Sequence, residues 1–382
     1  MHCLRCGNTE ERYFFKDALG WYCRKCIMFG RIAPGTLPAY RKIEKKVMNV
    51  DYRLKYPLTS VQRKCAFEIA GYVKFHQNVL VYAACGAGKT ELVMETMKQA
   101  LSLGKKIGFA ISRRQVVLEI KDRMQSAFPD LKVVAVCEGY TEITDGDLII
   151  CTMHQLYRYH KTFNLLIMDE VDAFPYRGNE ILKQIAEHAC IGEKVYLTAT
   201  PDEEMLENVR LGNLALVELF QRPHGYPLIV PKVITAVSFL QNVLLIHFLF
   251  KQKKEKAQTL VFVPTIQMAE SLNFWLRFIF RSASFTSKTK DKETILNKFH
   301  KKKYECLIST TVLERGITIK GVHVVIFHAD HIVFQEASLI QMIGRVGRNI
   351  EMPTGKGLFL CRKRTRDIER CIRALKKMNG DV

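Results

Sequence analysis

Ala83-Ala-Cys-Gly-Ala-Gly-Lys-Thr90 follows an apolar, β-branched run, Val79–Ala84, and leads into a stretch with helical spacing, Glu91–Leu103. A loop of small residues lets successive backbone N–H groups turn inward around an anion, and the following helix points its positive end at the same place. Lys89 then reaches the β- and γ-phosphates of a bound nucleotide, and the Thr90 hydroxyl ligates Mg²⁺. Ala83 stands where such loops usually carry glycine, so the pattern reads A-x-x-x-x-G-K-T. Ala84, Cys85, Gly86, Ala87 and Gly88 are the expected cradle for the phosphates of ATP.

Strand, loop and helix recur on either side. Lys106–Ile111, Leu131–Val136, Asp147–Cys151, Leu165–Met168 and Val195–Thr198 are short β-rich runs, and Gln115–Phe128 has helical spacing. That rhythm implies an α/β fold, with a parallel sheet covered by helices on both faces. It breaks at Gln221-Arg-Pro-His-Gly-Tyr-Pro227 and restarts with Thr259–Val263, Glu305–Ser309, Val322–Phe327 and Gly357–Cys361. The expected division is a module at 1–36, one lobe at 37–222 and a second at 223–382.

Asp169-Glu170-Val171-Asp172 ends the run Leu165–Met168. A carboxylate there, beside a phosphate loop, is where Mg²⁺ needs its second anchor, so Asp169 is the metal-side candidate and Glu170 the group that polarises the attacking water. Gln341-Met-Ile-Gly-Arg-Val-Gly-Arg348 supplies Arg345 and Arg348, three apart and so expected on one helical face. Either serves to stabilise transition-state charge on the γ-phosphate. ATP is then expected between the lobes, with binding closing the cleft and hydrolysis opening it.

The chain has 382 residues and a net charge of +20; 48% hydrophobic and 25% charged residues mark a globular chain, not a disordered one. Residues 1–64 carry +9, residues 65–222 carry −4 and residues 223–382 carry +15, a distribution suited to a polyanion touching both ends. The run Val233–Phe250 contains Gln241, Asn242 and His247 and reads as a strand running into an amphipathic helix, not a membrane span. A cytoplasmic location is expected from the scattered cysteines described next, any membrane contact being peripheral at the inner face of the cell membrane.

Of the twelve cysteines, Cys3, Cys6, Cys23 and Cys26 form two Cys-x-x-Cys pairs. Each pair presents two sulfurs to one tetrahedral ion, and four protein ligands make a structural zinc site with no position left for water. The other eight are scattered, as suits a reducing compartment. Tyr13, Phe14, Phe15, Trp21 and Tyr22 are too few for an independent core, so the metal must hold the module together. The same aromatics lie among Arg5, Arg12, Lys16, Arg24 and Lys25, where they serve either as the module's own core or as base-stacking surfaces.

These motifs, in this order, resemble the superfamily 2 helicases over nearly the whole chain, which implies two RecA-like lobes. Leu58-Thr-Ser-Val-Gln62 looks like the motif whose glutamine reads adenine. Ser112-Arg-Arg-Gln115 and Cys151-Thr-Met-His-Gln155 look like the strand-contacting motifs of the first lobe, implying contacts from Arg113, Arg114, Thr152 and His154. Thr198-Ala-Thr-Pro201 resembles the motif that links hydrolysis to lobe movement. Thr259–Thr265 and Ser309–Gly316 resemble the second-lobe motifs that grip backbone and ribose, implying Thr265, Thr310 and Thr311 on nucleic acid and Gly316 at the nucleotide. The quartet Asp169–Asp172, the segment Thr310–Thr318 and the four cysteines together resemble the ComFA family. That resemblance implies a single-stranded DNA translocase driving import of transforming DNA, with the phosphoribosyltransferase-like ComFC, the DNA channel ComEC and a homo-oligomer as implied partners. A replication-restart or repair helicase of primosomal type, or an RNA helicase, remains the alternative. Val171, Thr318 and Gln341 depart from the usual RNA-helicase pattern.

Overall fold

The computed structural model describes residues 1–38, 44, 46–314, 321–348 and 351–381. By contacts these fall into two compact units, Met1–Ala83 with Lys89–Leu219, and Ala84–Gly88 with Phe220–Val382.

The first unit begins with an antiparallel hairpin, β1 (Phe14–Asp17) and β2 (Gly20–Cys23). Its turn forms because Asp17 Oδ1 accepts from the Leu19 amide at 2.9 Å and Gly20 takes φ +99°. A seven-stranded parallel sheet follows, made of β3 (Val79–Ala83), β4 (Ile107–Ile111), β5 (Val133–Val136), β6 (Leu148–Thr152), β7 (Phe163–Asp169), β8 (Cys190–Thr198) and β9 (Ala215–Leu219). The spatial order is β5-β6-β4-β7-β8-β3-β9. β4 and β6 are buried at every position, which is why they read as continuous apolar runs and not as alternating ones. The helices are α1 (Ser60–Lys74), α2 (Lys89–Leu92), α3 (Met94–Ser102), α4 (Arg114–Ala127), α5 (Glu180–Ala189) and α6 (Glu203–Arg210). The single helix expected over Glu91–Leu103 is interrupted at Val93.

The second unit holds a six-stranded parallel sheet of β10 (Lys232–Thr235), β11 (Gln258–Phe262), β12 (Ser282–Phe285), β13 (Cys306–Ser309), β14 (Val322–Phe327) and β15 (Gly357–Cys361), in the order β10-β15-β14-β11-β13-β12. Its helices are α7 (Ser238–Lys254), α8 (Ile266–Leu276), α9 (Lys292–His300), α10 (Glu336–Ile343) and α11 (Arg366–Asn379). The apolar run from Val233 is indeed a strand followed by a helix, but α7 is not amphipathic. It buries Leu245 and Leu249 while exposing Phe239, Val243 and Phe250 on its other side. Among the described residues no helix is long and apolar enough to cross a membrane.

α10 ends at Ile343, and Gly344–Gly347 is a turn with Gly347 at φ +65°. Arg345 and Arg348 therefore do not share a helical face, contrary to the expectation from their spacing. The two glycines that would have weakened a helix end one instead.

Candidate nucleotide site and four-cysteine centre

In the first sheet β8 lies between β7 and β3. The register sets Asp169 beside Leu197 and Tyr82 beside Thr198, so three strands reach their carboxyl ends at one level. Ligands of open α/β sheets bind along such an edge. The phosphate loop leaves β3 there, with Gly86 at φ +83° and Gly88 at φ +88°, a backbone open to glycine and closed to most side chains. Lys89 opens α2 with its Nζ 3.2 Å from the Ala83 carbonyl oxygen, and Thr90 is buried beside it.

Asp169, the last residue of β7, is buried. Burial, reinforced by the charge of Glu170, pushes its carboxyl up to about 6. Glu170 turns the chain out of the sheet at φ +55°, a strained conformation for a non-glycine residue. Its amide donates to Leu197 O at 3.0 Å and to Asp169 Oδ1 at 2.8 Å, and the Ser112 hydroxyl donates to its carbonyl at 3.3 Å. Asp172 is buried and accepts from the Thr198 hydroxyl at 2.7 Å and the Thr200 hydroxyl at 2.6 Å. The acidic quartet and the Thr-Ala-Thr segment are therefore one hydrogen-bonded unit.

The loop Ala84–Gly88 is grouped by contacts with the second unit. There the buried Arg222 donates through Nε to Cys85 O at 2.9 Å, through Nη1 to Val346 O and Gly347 O at 2.8 and 3.0 Å, and through Nη2 to Gly344 O at 2.9 Å. Burial pushes its guanidinium down to about 10. The Cys85 thiol lies 3.1 Å from Gln341 Oε1, and a Cβ on Gly86 would come within 3.1 Å of Arg348 Cγ. Arg345 is buried and Arg348 half-buried. Arg222 sits in the Pro- and Gly-bearing connector, where a single arginine has no period or spacing to mark it in the sequence.

Gln62 is buried at the third position of α1 and completes a capping box, its Oε1 accepting from the Thr59 amide at 3.0 Å. Arg113 is half-buried just before α4; Arg114 is exposed, with Nε donating to Glu138 O at 2.8 Å. Thr152 is buried at the end of β6. Thr265 is exposed and caps α8 by accepting from the Met268 amide, whereas Thr310 and Thr311 are half-buried after β13. Gly316 lies outside the described residues, as do Arg315 and Thr318.

Cys3, Cys6, Cys23 and Cys26 are buried, and their sulfurs lie within 4.8 Å of one another, a set that could hold one metal ion. Hydrogen bonding to Cys26 pushes Cys3 down, and the same bond pushes Cys26 up to about 12; four sulfurs this close repel one another as thiolates, so ionised together they need a cation. Arg5 argues for that cation. Its guanidinium is buried, has no carboxylate partner among the described residues, and donates to Cys26 Sγ at 3.1 and 3.3 Å. It also donates to the carbonyls of Cys26, Phe29 and Gly30 at 2.8, 2.8 and 2.6 Å. A buried guanidinium needs an anion, and a metal-bound thiolate set with net negative charge supplies one.

The cysteine module is packed onto the first sheet's helices. Phe29 lies against Tyr157 and His154, with ring centroids 5.3 and 6.1 Å apart; Ile181 joins the cysteine cluster, and His188 Nδ1 lies 3.2 Å from Arg5 O. His154 is half-buried in consequence, and burial pushes its imidazole down.

Two RecA-like parallel-sheet lobes with a phosphate loop, taken with matches to two helicase family models, make this a helicase-type, ATP-hydrolysing enzyme. Residues 55–203 match the family model of the type III restriction enzyme res subunit, and residues 237–350 match the helicase conserved C-terminal domain. The lobes are similar in fold to yeast Dbp5 bound to RNA and ADP BeF3, with TM-score 0.61, 15% identity and coverage of 85% of this chain and 92% of that one. RecG bound to a three-way DNA junction gives TM-score 0.61 and 20% identity, covering 86% of this chain and 46% of that one.

Residues 1–37 match the N-terminal domain of competence protein ComFA. The whole chain is 32% identical to ComFA of Streptococcus pneumoniae, covering 91% of that protein, and 99% of it is 30% identical to ComFA of Bacillus subtilis, covering 85%. The chain belongs to the ComFA family: it is a competence-associated, helicase-like ATPase.

Proposed function

We propose that this protein is a single-stranded DNA translocase that uses ATP hydrolysis to drive import of transforming DNA. The observation that carries the motor reading is the Asp172–Thr198–Thr200 link. It ties the acidic quartet to the segment that resembles the motif coupling hydrolysis to movement, at the strand edge from which the phosphate loop departs. In this reading Ala84, Cys85, Gly86, Ala87, Gly88 and Lys89 hold the phosphates, and Gln62 reads adenine. Thr90 and Asp169 hold Mg²⁺, Glu170 polarises water, and Arg345 and Arg348 stabilise charge on the γ-phosphate. Arg222 positions the loop. Cys3, Cys6, Cys23 and Cys26 hold a structural Zn²⁺. Arg113, Arg114, Thr152, His154, Thr265, Thr310 and Thr311 contact the strand.

Net charges of +9 on residues 1–64 and +15 on residues 223–382 favour backbone contacts over base readout. The test is the polynucleotide dependence of ATP hydrolysis. Single-stranded DNA should stimulate more than duplex, stimulation should rise with strand length to a plateau, and circles should match long linear strands. Better activation by RNA overturns the competence reading, and no activation by any polynucleotide overturns the motor reading.

A further inference from the structure

The core of the cysteine module is Phe14, Ile32 and the four cysteines, with Phe29 and Ile181 packed against it. Tyr13, Phe15 and Tyr22 are not part of that core. In the hairpin, Phe15 pairs with Tyr22, and Phe14 with Cys23. The Arg24 amide donates to Tyr13 O at 2.7 Å, continuing the ladder by one pair. Directly opposed residues share a face, so Phe14 and Cys23 point inward while Tyr13, Phe15, Tyr22 and Arg24 stand on the outer face. Phe15 is 42% exposed there.

Each outer ring carries a cation. The Arg24 guanidinium lies 4.8 Å from the Phe15 centroid and that of Arg31 lies 4.5 Å from Tyr22, while Arg12 and Lys25 lie 4.9 and 5.2 Å from Tyr13. Asp17 pairs with Arg31, and Glu10 pairs with both Arg12 and Lys25. Arg24 has no acidic partner among the described residues. Flat rings interleaved with cations match the two needs of an unstacked strand, a π-face for each base and positive charge for each phosphate. A duplex hides its base faces and cannot use such a surface.

We propose that the outer face of this hairpin is a stacking platform for single-stranded DNA. Phe15 and Tyr22 take successive bases, and Arg24 holds the backbone. The proposal rests on the translocase reading. It extends the strand path beyond the lobes, because Phe29 anchors the module on Tyr157 and His154, just past the Thr152 end of β6.

The chain's two tryptophans, Trp21 and Trp275, allow a direct readout. Full-length zinc-loaded protein carrying Trp21→Phe, Trp275→Phe and Phe15→Trp places the sole indole on the platform. A poly-dT oligonucleotide should quench its fluorescence, and an equal concentration of duplex should not. Separately, Phe15→Ala with Tyr22→Ala and Arg24→Ala should weaken single-strand binding about tenfold or more. Zinc content and ATP hydrolysis without DNA should be unchanged. If the triple variant loses zinc, Arg24→Gln alone is used, with a smaller loss of affinity expected. Unquenched indole in a protein whose ATPase the same oligonucleotide stimulates overturns the platform and leaves the motor reading standing. Failure of the motor reading shows instead as absent stimulation.

Discussion

Replacing Arg5 by methionine removes a buried fork that makes two hydrogen bonds to Cys26 Sγ and three to the carbonyls of Cys26, Phe29 and Gly30. The Phe29 and Gly30 carbonyls are part-buried, so water replaces much of what they lose. The sulfur cannot be compensated in this way, because it is buried and, as a zinc ligand in the reading above, carries charge. Partners of this kind typically change metal affinity by about 10- to 100-fold, or about 1.4–2.8 kcal/mol. Structural zinc binds with about 10–16 kcal/mol, so Arg5→Met should still be purified with its metal. Elemental analysis alone would then miss the effect. Competition with a graded series of chelators is the appropriate assay, and Arg5→Met should release zinc at about 10- to 100-fold lower chelator strength than the parent. Arg5→Lys keeps a point charge but cannot span the same carbonyls, and should fall between the two. Identical chelator resistance in parent and Arg5→Met would refute the argument that the guanidinium is balanced by metal-bound thiolate.

Lys89→Ala should abolish turnover, and Glu170→Gln should retain ATP while hydrolysing it very slowly; nucleotide binding and single-turnover hydrolysis separate the two, and normal hydrolysis in Glu170→Gln removes that role. Asp172→Asn combined in a cycle with Thr198→Val should show a coupling of about 1–3 kcal/mol in the opening of β8, read by native-state hydrogen exchange. Because the Asp169 carboxyl is pushed up to about 6, protonation as pH falls through that range should remove a Mg²⁺ ligand, so kcat/KM for Mg·ATP declines below about pH 6. The apo protein moves the opposite way. A carboxyl whose folded value lies above its unfolded one weighs against folding when ionised, so its contribution becomes more favourable as pH falls from about 6 toward about 4. A flat kcat/KM profile across this range would exclude Asp169 as the titrating ligand.

The parallel sheets were legible because central strands, covered on both faces, leave uninterrupted apolar runs; β14 and β15 match the sequence reading at both ends. β12 was not legible, since Ser282-Ala-Ser-Phe285 has neither length nor β-branched residues and is a strand because β13 pairs with it at the sheet edge. The interruption at Val93 was equally hidden, because periodicity registers which face is apolar but not a single residue at which a helix breaks.

The candidate site divides along the same line. Lys89 and Thr90 follow β3 by one short loop, and Asp169 and Glu170 stand at the end of β7, so local sequence dictates their local geometry. Arg222 and the Asp172–Thr198 bond depend on residues brought together from far apart, with partners 137 and 26 positions away. The cysteine module shows both cases within a few residues. Its ligand set follows from two Cys-x-x-Cys turns, whereas its seat on α5 depends on Arg5 O near His188 and on Ile181 joining the cysteine cluster, contacts no local pattern encodes. That seat changes the meaning of the module. In the translocase reading, a freely tethered module would locate DNA without transmitting force, whereas one packed against the helices of the first sheet moves with the sheet that carries Asp169.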